Sequence, residues 1–445
     1  MDKNEVFMKL GASNKYFYYT SAEQNTFSIN FELNLREEIN EEAMRAAADE
    51  ALACYPELAA ETVIKDGRLC CVRNDKGAAF LSHPDTPVAL GSGMTKGHLF
   101  YFGVDGNVLS LSFYHGLSDF RGMFIYLIHV LYIYAKKTGH GLNDEEEGYI
   151  KKVIRSDVSV FENGDQDDLL TPYEKYGNIN AEPAFKYESP AAFVIPQSTG
   201  AKPGNSPKMH GWGLKCRTSD FLNKTKEYGV SAVPYLVELV AGSIRKTFDA
   251  GDSPVVSMVP VDMRPLFSSQ TLLNFSDGAL IPYYAKDEEK DLKERCEIFS
   301  RYLKNQRDRA IFEIAIARKS IAVEGFETCG RQIKEILKDS LKPLPRGIKR
   351  PATYALTYPG RVSFTPGLDR MIEDFSLHSG VKATAVGGYT FGDTMRLGIV
   401  CRFDDPAFSE GILKAFTQAG IEAELTDRGY VESPDVLSID SLRQV

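Results

Sequence analysis

Apolar and polar positions along the first 120 residues repeat with two different periods. "TFSINFELN" (26–34) changes side at every residue, the pattern of a strand with one buried face. "NEEAMRAAADEALACYP" (40–56) places Ala43, Ala47, Ala51 and Cys54 along one helical face, with Asn40 as N-cap and Pro56 as the stop. "GRLCCVRN" and "GHLFYFGVDGNVLSLSFYH" return to strand patterning, and Asp105-Gly106 inside the second marks a hairpin turn. The longest apolar run, Met123 to Ala135, has 13 residues. It is too short to span a bilayer and predicts a buried helix.

The pattern weakens between 143 and 168, which is acidic, and breaks at 186–209, which is rich in Pro, Ser and Gly. The same alternation then restarts. "MHGWGLKCR", "SPVVSMVPVDMR", "ATYALTYPGRVSF" and "TMRLGIVCRF" read as strands. "SDFLNKTKEYG", "SAVPYLVELVAGSIRKTF" and "PAFSEGILKAFTQAG" read as helices, the last ended by Gly420, and 292–323 reads as one long helical region. The chain therefore divides into an N-terminal lobe (1–185), a linker (186–209) and a C-terminal lobe (210–445). Both lobes are α/β, mixed sheets flanked by helices, with a cleft or tunnel expected between them.

Composition narrows the function. With 43% apolar and 25% charged residues the chain is ordinary globular material, and a net charge of −9 with no broad basic face argues against nucleic acid as partner. "MDKNEVFMKLGASNKYF" has no apolar core and does not read as a signal peptide. The seven cysteines are scattered without a CxxC pair, which favours reduced thiols in the cytoplasm over a disulfide frame or a zinc site. No GxGxxG opens a helix, and no GxSxG elbow or HExxH is present, so no metal is expected. "GSGMTKG" (91–97) only faintly resembles a phosphate loop and reads as an ordinary turn.

One stretch carries candidate chemistry. In "VLSLSFYHGLSDFRG" a strand runs into His115, and Asp119 follows at the mouth of the long apolar helix. A histidine at a strand end is held rigidly, and a carboxylate at a helix N-terminus is favoured by free amides and the helix dipole. Asp119 either caps this helix or turns away to bind a cation that braces the loop. The spacing alone is a weak pattern. The other six histidines (His83, His98, His129, His140, His210, His378) read as structural or surface residues.

"FYHGLSDFRG" resembles the HxxxD turn of the CoA-dependent acyltransferase superfamily, which includes chloramphenicol and alcohol acetyltransferases, plant BAHD acyltransferases and non-ribosomal peptide condensation domains. "EEAMRAAADEALACYPEL" is similar to the first helix of these proteins. "VPVDMRPLFSSQTLLNFSD" (259–277) is similar to their VDxR segment with its following Asn, here Asp262, Arg264 and Asn274. "TYPGRVSF" and "MRLGIVCRFDDPAF" resemble their closing strands. The resemblance spans nearly the whole chain and implies a two-lobed chloramphenicol acetyltransferase-like fold. The chain departs from condensation domains, which carry HHxxxDG, by Tyr114 and Phe120. It has Ala59-Ala60 where those domains usually have an Arg, and it lacks the plant DFGWG tract.

The resemblance implies acyl transfer from a thioester, acyl-CoA or a phosphopantetheine carrier, to the hydroxyl or amine of a small-molecule acceptor. His115 would be the general base. Asp119 would pair with Arg264 and tie the His loop to the second lobe, and Asn274 would bond backbone near the site. Backbone amides after His115, or the hydroxyls of Ser276 and Thr271, are candidate donors to the oxyanion, and Lys342, Arg346, Lys349 and Arg350 are candidate phosphate contacts. Two alternatives stand beside this: a condensation-type enzyme served by an acyl carrier protein, and a non-catalytic binding or assembly member of the fold. Release of CoA thiol from free acyl-CoA separates the first, and the intact His115–Asp119 pair weighs against the second.

Overall fold

The computed structural model describes residues 7–8, 11–20, 27–82, 88–185, 190–195, 209–329, 351–379, 384–401, 405–431, 437 and 441–445. The basic stretch 342–350 and His83 lie outside the described residues.

A five-stranded sheet organises the first half, in the order Ile372–Ser379, Ser28–Leu35, Val108–Tyr114, Phe100–Asp105, Phe80–Leu81. Phe31, Leu33, Leu109, Leu111 and Phe113 alternate onto its core face, where the helices Glu41–Leu52 and Phe120–Thr138 cover them. The register pairs Phe31 with Leu111 and Leu33 with Leu109, so the apolar set stays on one side. The hairpin turns through Gly106-Asn107, one residue past the expected position because Asp105 still pairs with Val108, and Gly106 has φ +57°. Phe120–Thr138 is apolar all round because other elements enclose it, and Gly139, left-handed at φ +77°, ends it.

A seven-stranded sheet organises the second half. Its order is Ser276–Tyr283, Val255–Asp262, Tyr354–Thr357, Ala385–Phe391, Thr394–Cys401, Met209–Arg217, Ala423–Val431, with Tyr354–Thr357 parallel to both of its neighbours and the other pairs antiparallel. The helices Ala232–Phe248 and Ala407–Gln418 pack together over a second apolar core. Residues 190–195, within the Pro- and Ser-rich stretch, pack onto this core through Phe193 and Ile195.

Three features tie the halves together. The strand Ile372–Ser379 leaves the second half and pairs antiparallel with Ser28–Leu35. The segment 261–279 sends Met263, Leu272, Leu273 and Phe275 into the first core. The helical region at 292–323 is two helices, Leu292–Gln306 and Arg309–Cys329. They are split at Arg307-Asp308, where Asp308 accepts from the Ala310 amide at 2.9 Å and caps the start of the second. The second of these helices packs against the helix Ala12–Thr20 and buries Phe312, Ile316 and Val323 in the first core.

Candidate active site

His115 follows the last residue of the strand Val108–Tyr114, and its amide still donates to the carbonyl of Phe27, the residue before the neighbouring strand Ser28–Leu35. The chain then turns sharply. A Cβ on Gly116 would sit 2.3 Å from the Tyr114 ring and 3.0 Å from Phe17 Cβ, so glycine alone lets the turn close this tightly. The His115 ring is partly exposed and lies against Phe17, ring centres 5.4 Å apart. Its Nδ1 is 3.2 Å from the Ser118 carbonyl. A carbonyl can only accept, so this contact selects the Nδ1–H tautomer and leaves the Nε2 lone pair free. Burial lowers the pKa of the ring from its ordinary value, outweighing the Ser118 carbonyl and Asp119, which favour the cation.

Asp119 both caps and bridges. Its Oδ1 accepts from the Gly122 amide at 3.0 Å, closing the N-terminus of the helix Phe120–Thr138. Its Oδ2 accepts from the Phe275 amide at 2.9 Å and lies 2.9 Å from Arg264 Nη1, while Arg264 Nη2 donates to Oδ1 at 3.1 Å. Burial opposes ionisation of Asp119, but Arg264 and the two amides outweigh it and hold the carboxyl below its ordinary range. The Arg264 guanidinium has further acceptors in the Thr271 and Leu273 carbonyls, both at 2.7 Å, and in Asp262. For this buried arginine desolvation is overcome by Asp119 and Asp262, and its pKa is raised.

The loop 271–275 is thereby fastened to the His turn along its length. Ser118 Oγ donates to the Leu272 carbonyl at 2.6 Å, and the Asn274 amide to the Leu117 carbonyl at 3.0 Å. Asn274 Nδ2 donates to the His115 carbonyl at 2.8 Å, so Asn274 fixes the backbone of the base rather than its ring. A Cβ on Gly122 would meet the Leu272 carbonyl oxygen at 2.0 Å, which makes a bare backbone obligatory in the first helical turn.

The two candidate oxyanion hydroxyls differ. Ser276 is partly exposed, and its Oγ donates to Asn274 Oδ1 at 3.0 Å. Thr271 is fully buried, with its hydroxyl donating to the Leu169 carbonyl at 2.8 Å, so it serves the loop and not an oxyanion. Lys319 and Asp277 carry no motif in the sequence, yet they pair at 3.0 Å, Asp277 lying beside Ser276. Such a contact between a helix and a separate strand leaves no local pattern to read. A cavity of about 450 Å³ lies on the Arg264 side of the turn, lined by Arg121, Arg155, Arg264, Thr271 and Leu272; His115 does not line it.

The turn 91–97 spends its donors internally, the Gly91 amide on Thr95 Oγ1 and the His98 carbonyl and the Gly97 amide on the Ser92 carbonyl. Among the described residues there is no cluster of three or more groups suited to a metal ion, and no helix is long and apolar enough to cross a membrane.

No family model matches the chain, and no curated protein matches it by sequence. Solved structures do match in fold. TRI101 of F. sporotrichioides, determined with coenzyme A and T-2, is 10% identical over 95% of this chain and 100% of its own, with a TM-score of 0.59. The epimerization domain of tyrocidine synthetase B is 12% identical over 94% and 98%, at 0.57. The starter condensation domain of rhizomide synthetase RzmA, a mutant form in complex with C8-CoA, is 11% identical over 97% and 98%, at 0.54. The fold is thus the two-lobed α/β fold of the CoA-dependent, chloramphenicol acetyltransferase-like acyltransferases and condensation domains.

Proposed function

We propose that the protein is an acyltransferase that moves an acyl group from a thioester, with acyl-CoA as donor, to a hydroxyl or amine of a small-molecule acceptor. One observation carries the reading: the His115 imidazole is anchored by Nδ1 on the Ser118 carbonyl and keeps a free lone pair on Nε2. Burial supports it further, because a lowered pKa leaves the ring neutral near pH 7 and able to accept a proton.

A thioester is already activated, so the difficult step is removing the proton of the acceptor as it attacks. Nε2 takes that proton while the new C–O or C–N bond forms. The tetrahedral intermediate then collapses, the C–S bond breaks, and the proton passes from Nε2 to the leaving thiolate. No covalent acyl-enzyme is needed. Charge on the imidazolium strengthens the Nδ1–H bond to Ser118, and Asp119 and Asn274 hold the turn rather than touch substrate. The substrates would meet at Nε2 in a passage between the lobes.

The test is a screen of acyl-CoAs against a panel of alcohols and amines, read by release of free thiol, with His115→Ala as control. Acceptor-dependent release that the substitution abolishes supports the reading. Release only when the acyl group is presented on a carrier protein would assign the donor to the carrier instead.

A further inference from the structure

The sheet that ends in His115 has a second face, of which the chemistry above makes no use. On the first face Phe31 packs against Phe120 and Phe124 of the covering helix. On the second, the same strands are polar. Asn30 and Glu32 alternate with Phe31 and Leu33, and the register sets Asn30 between Ser112 and His378, and Glu32 between Ser110 and Ser376. A polar sheet face ordinarily meets water. This one turns toward the second half of the molecule: Arg428 Nη1 lies 3.1 Å from His378 Nδ1, and Arg396 pairs with Asp374 of the same strand face at 2.8 Å. Ser112 is only 4% exposed, and Asn30, Glu32 and Ser110 are partly buried. Two oxygens on this face are unused. Asn30 Oδ1 is buried and takes no hydrogen bond. The Glu32 carboxylate has neither a hydrogen bond nor an ion pair among the described residues. A buried oxygen left without a donor is costly, so two on one face call for a partner.

We propose that Asn30 and Glu32 select the acyl acceptor: the molecule that presents its nucleophile to His115 lies along this face and carries a cationic amine at its far end, as an amino alcohol or a diamine does. The inference rests on the acyltransferase reading and deepens it. The geometry comes from the register. The Phe27 carbonyl takes the His115 amide, and Asn30 and Glu32 stand three and five residues further along that strand. At about 3.3 Å per residue they lie roughly 10 and 16 Å from the level of the base. Phe17, against the imidazole, packs on Phe27 at 5.0 Å and closes the way toward the apolar core. The polar face is the side left to a bound molecule.

Both unused oxygens receive hydrogen bonds, so they match a ligand that donates. Their surroundings divide the work. Arg428 stands at the His378 end of the Asn30 row and disfavours a second cation there, so Asn30 takes a neutral N–H or O–H. Arg396, the other cation of this wall, is already neutralised by Asp374. Glu32 has Ser110 and Ser376 as its cross-strand neighbours and is the carboxylate left for the ammonium.

The experiment is thiol release from one acyl-CoA, at neutral pH, with terminal amino alcohols of graded length, each against the plain alcohol of equal length. The ammonium should favour the acyl acceptor on the order of ten- to hundredfold in kcat/KM, the weight of a hydrogen bond to a charged group. Glu32→Gln should erase that preference through KM, with kcat near the wild type and an unchanged unfolding midpoint, since Glu32 has no partner to lose. Asn30→Ala should weaken acyl acceptors that carry a hydroxyl between their two ends and spare those that do not. Release without a preference for the ammonium, or a preference that survives Glu32→Gln, overturns the proposal and leaves the acyltransferase reading standing. Binding of decamethylenediamine to the full chain without acyl-CoA, followed by NMR, separates the two. Binding that Glu32→Gln abolishes, with no thiol release from any molecule tried, would overturn the selection of an acyl acceptor together with the acyltransferase reading. If Glu32→Gln fails to fold, Glu32→Ser removes the same charge.

Discussion

The Asp119–Arg264 contact should behave as one energetic unit, and a double-mutant cycle measures it. Both side chains are buried, at 5% exposure for Arg264 and 8% for Asp119. Breaking a buried pair by removing one partner costs about 3–5 kcal/mol, because the surviving charge is left without water or counter-ion. Arg264→Ala belongs at the upper end of that range. It also deprives the Thr271 and Leu273 carbonyls of their donor and leaves Asp119 facing a cavity. Asp119→Asn belongs at the lower end, since Arg264 keeps Asp262 as a counter-ion and one oxygen can still accept from Gly122 or Phe275. The double variant leaves no buried orphan charge, because Asp262 is partly exposed and keeps Arg121, and should cost roughly 2 kcal/mol less than the sum of the singles, within the span of measured couplings between contacting residues. The cap alone is worth about 1 kcal/mol and is indifferent to Arg264. Urea unfolding of the four proteins gives the cycle. Additivity within about 0.5 kcal/mol would refute the coupling and leave Asp119 as a cap. The same pair sets an acid dependence. The folded-state pKa of Asp119 is depressed, so its contribution is complete above the unfolded value near about 3.9 and is lost as pH falls through the lower folded value. Asp119→Asn should flatten stability against pH in that window, and an unchanged acid slope would contradict the assignment.

Other expectations can be checked separately. His115→Ala should lose on the order of 10²–10⁴ in transfer rate while its circular dichroism and unfolding midpoint stay near the wild type; a variant with near-full activity on a confirmed acceptor would exclude His115 as the base. The acid limb of the rate profile should fall below about pH 6.5, the ordinary histidine value, because burial lowers this one, and a limb above that pH would contradict the tautomer and burial argument. Gly122→Ala should lower stability by about 1–3 kcal/mol despite the better helix propensity of alanine, since the added Cβ would meet the Leu272 carbonyl 2.0 Å away; a neutral or stabilising result in urea unfolding would mean that loop 271–275 moves freely.

How much of this was legible in the sequence depends on the range of the interaction. Alternation placed the strands Met209–Arg217 and Thr394–Cys401 within a residue or two, because burial of one sheet face imposes a period of two on the chain itself. Asn40 and Gly420 mark helix ends for equally local reasons, a side chain that reaches the Ala43 amide and a left-handed φ. His115 and Asp119 lie within one turn, so their spacing could be read directly. The resemblance, not the local pattern, pointed from Asp119 to Arg264.

The rest is decided by which surfaces meet. Nothing local to Ile372–Ser379 says that it crosses to Ser28–Leu35, since a strand's period reports that one face is buried but not against what. The sequence posed capping and bridging as alternatives for Asp119; a carboxylate has two oxygens, and the tertiary structure uses them for both. Lys319 reads in the sequence as one charge among many on a helix. Only the packing of that helix on Ala12–Thr20 brings it within 3.0 Å of Asp277, at the start of a strand of the second sheet. Periodicity fixes which side of an element is buried. The partners of a buried charge are fixed by the whole fold, because only there is the alternative, water, excluded.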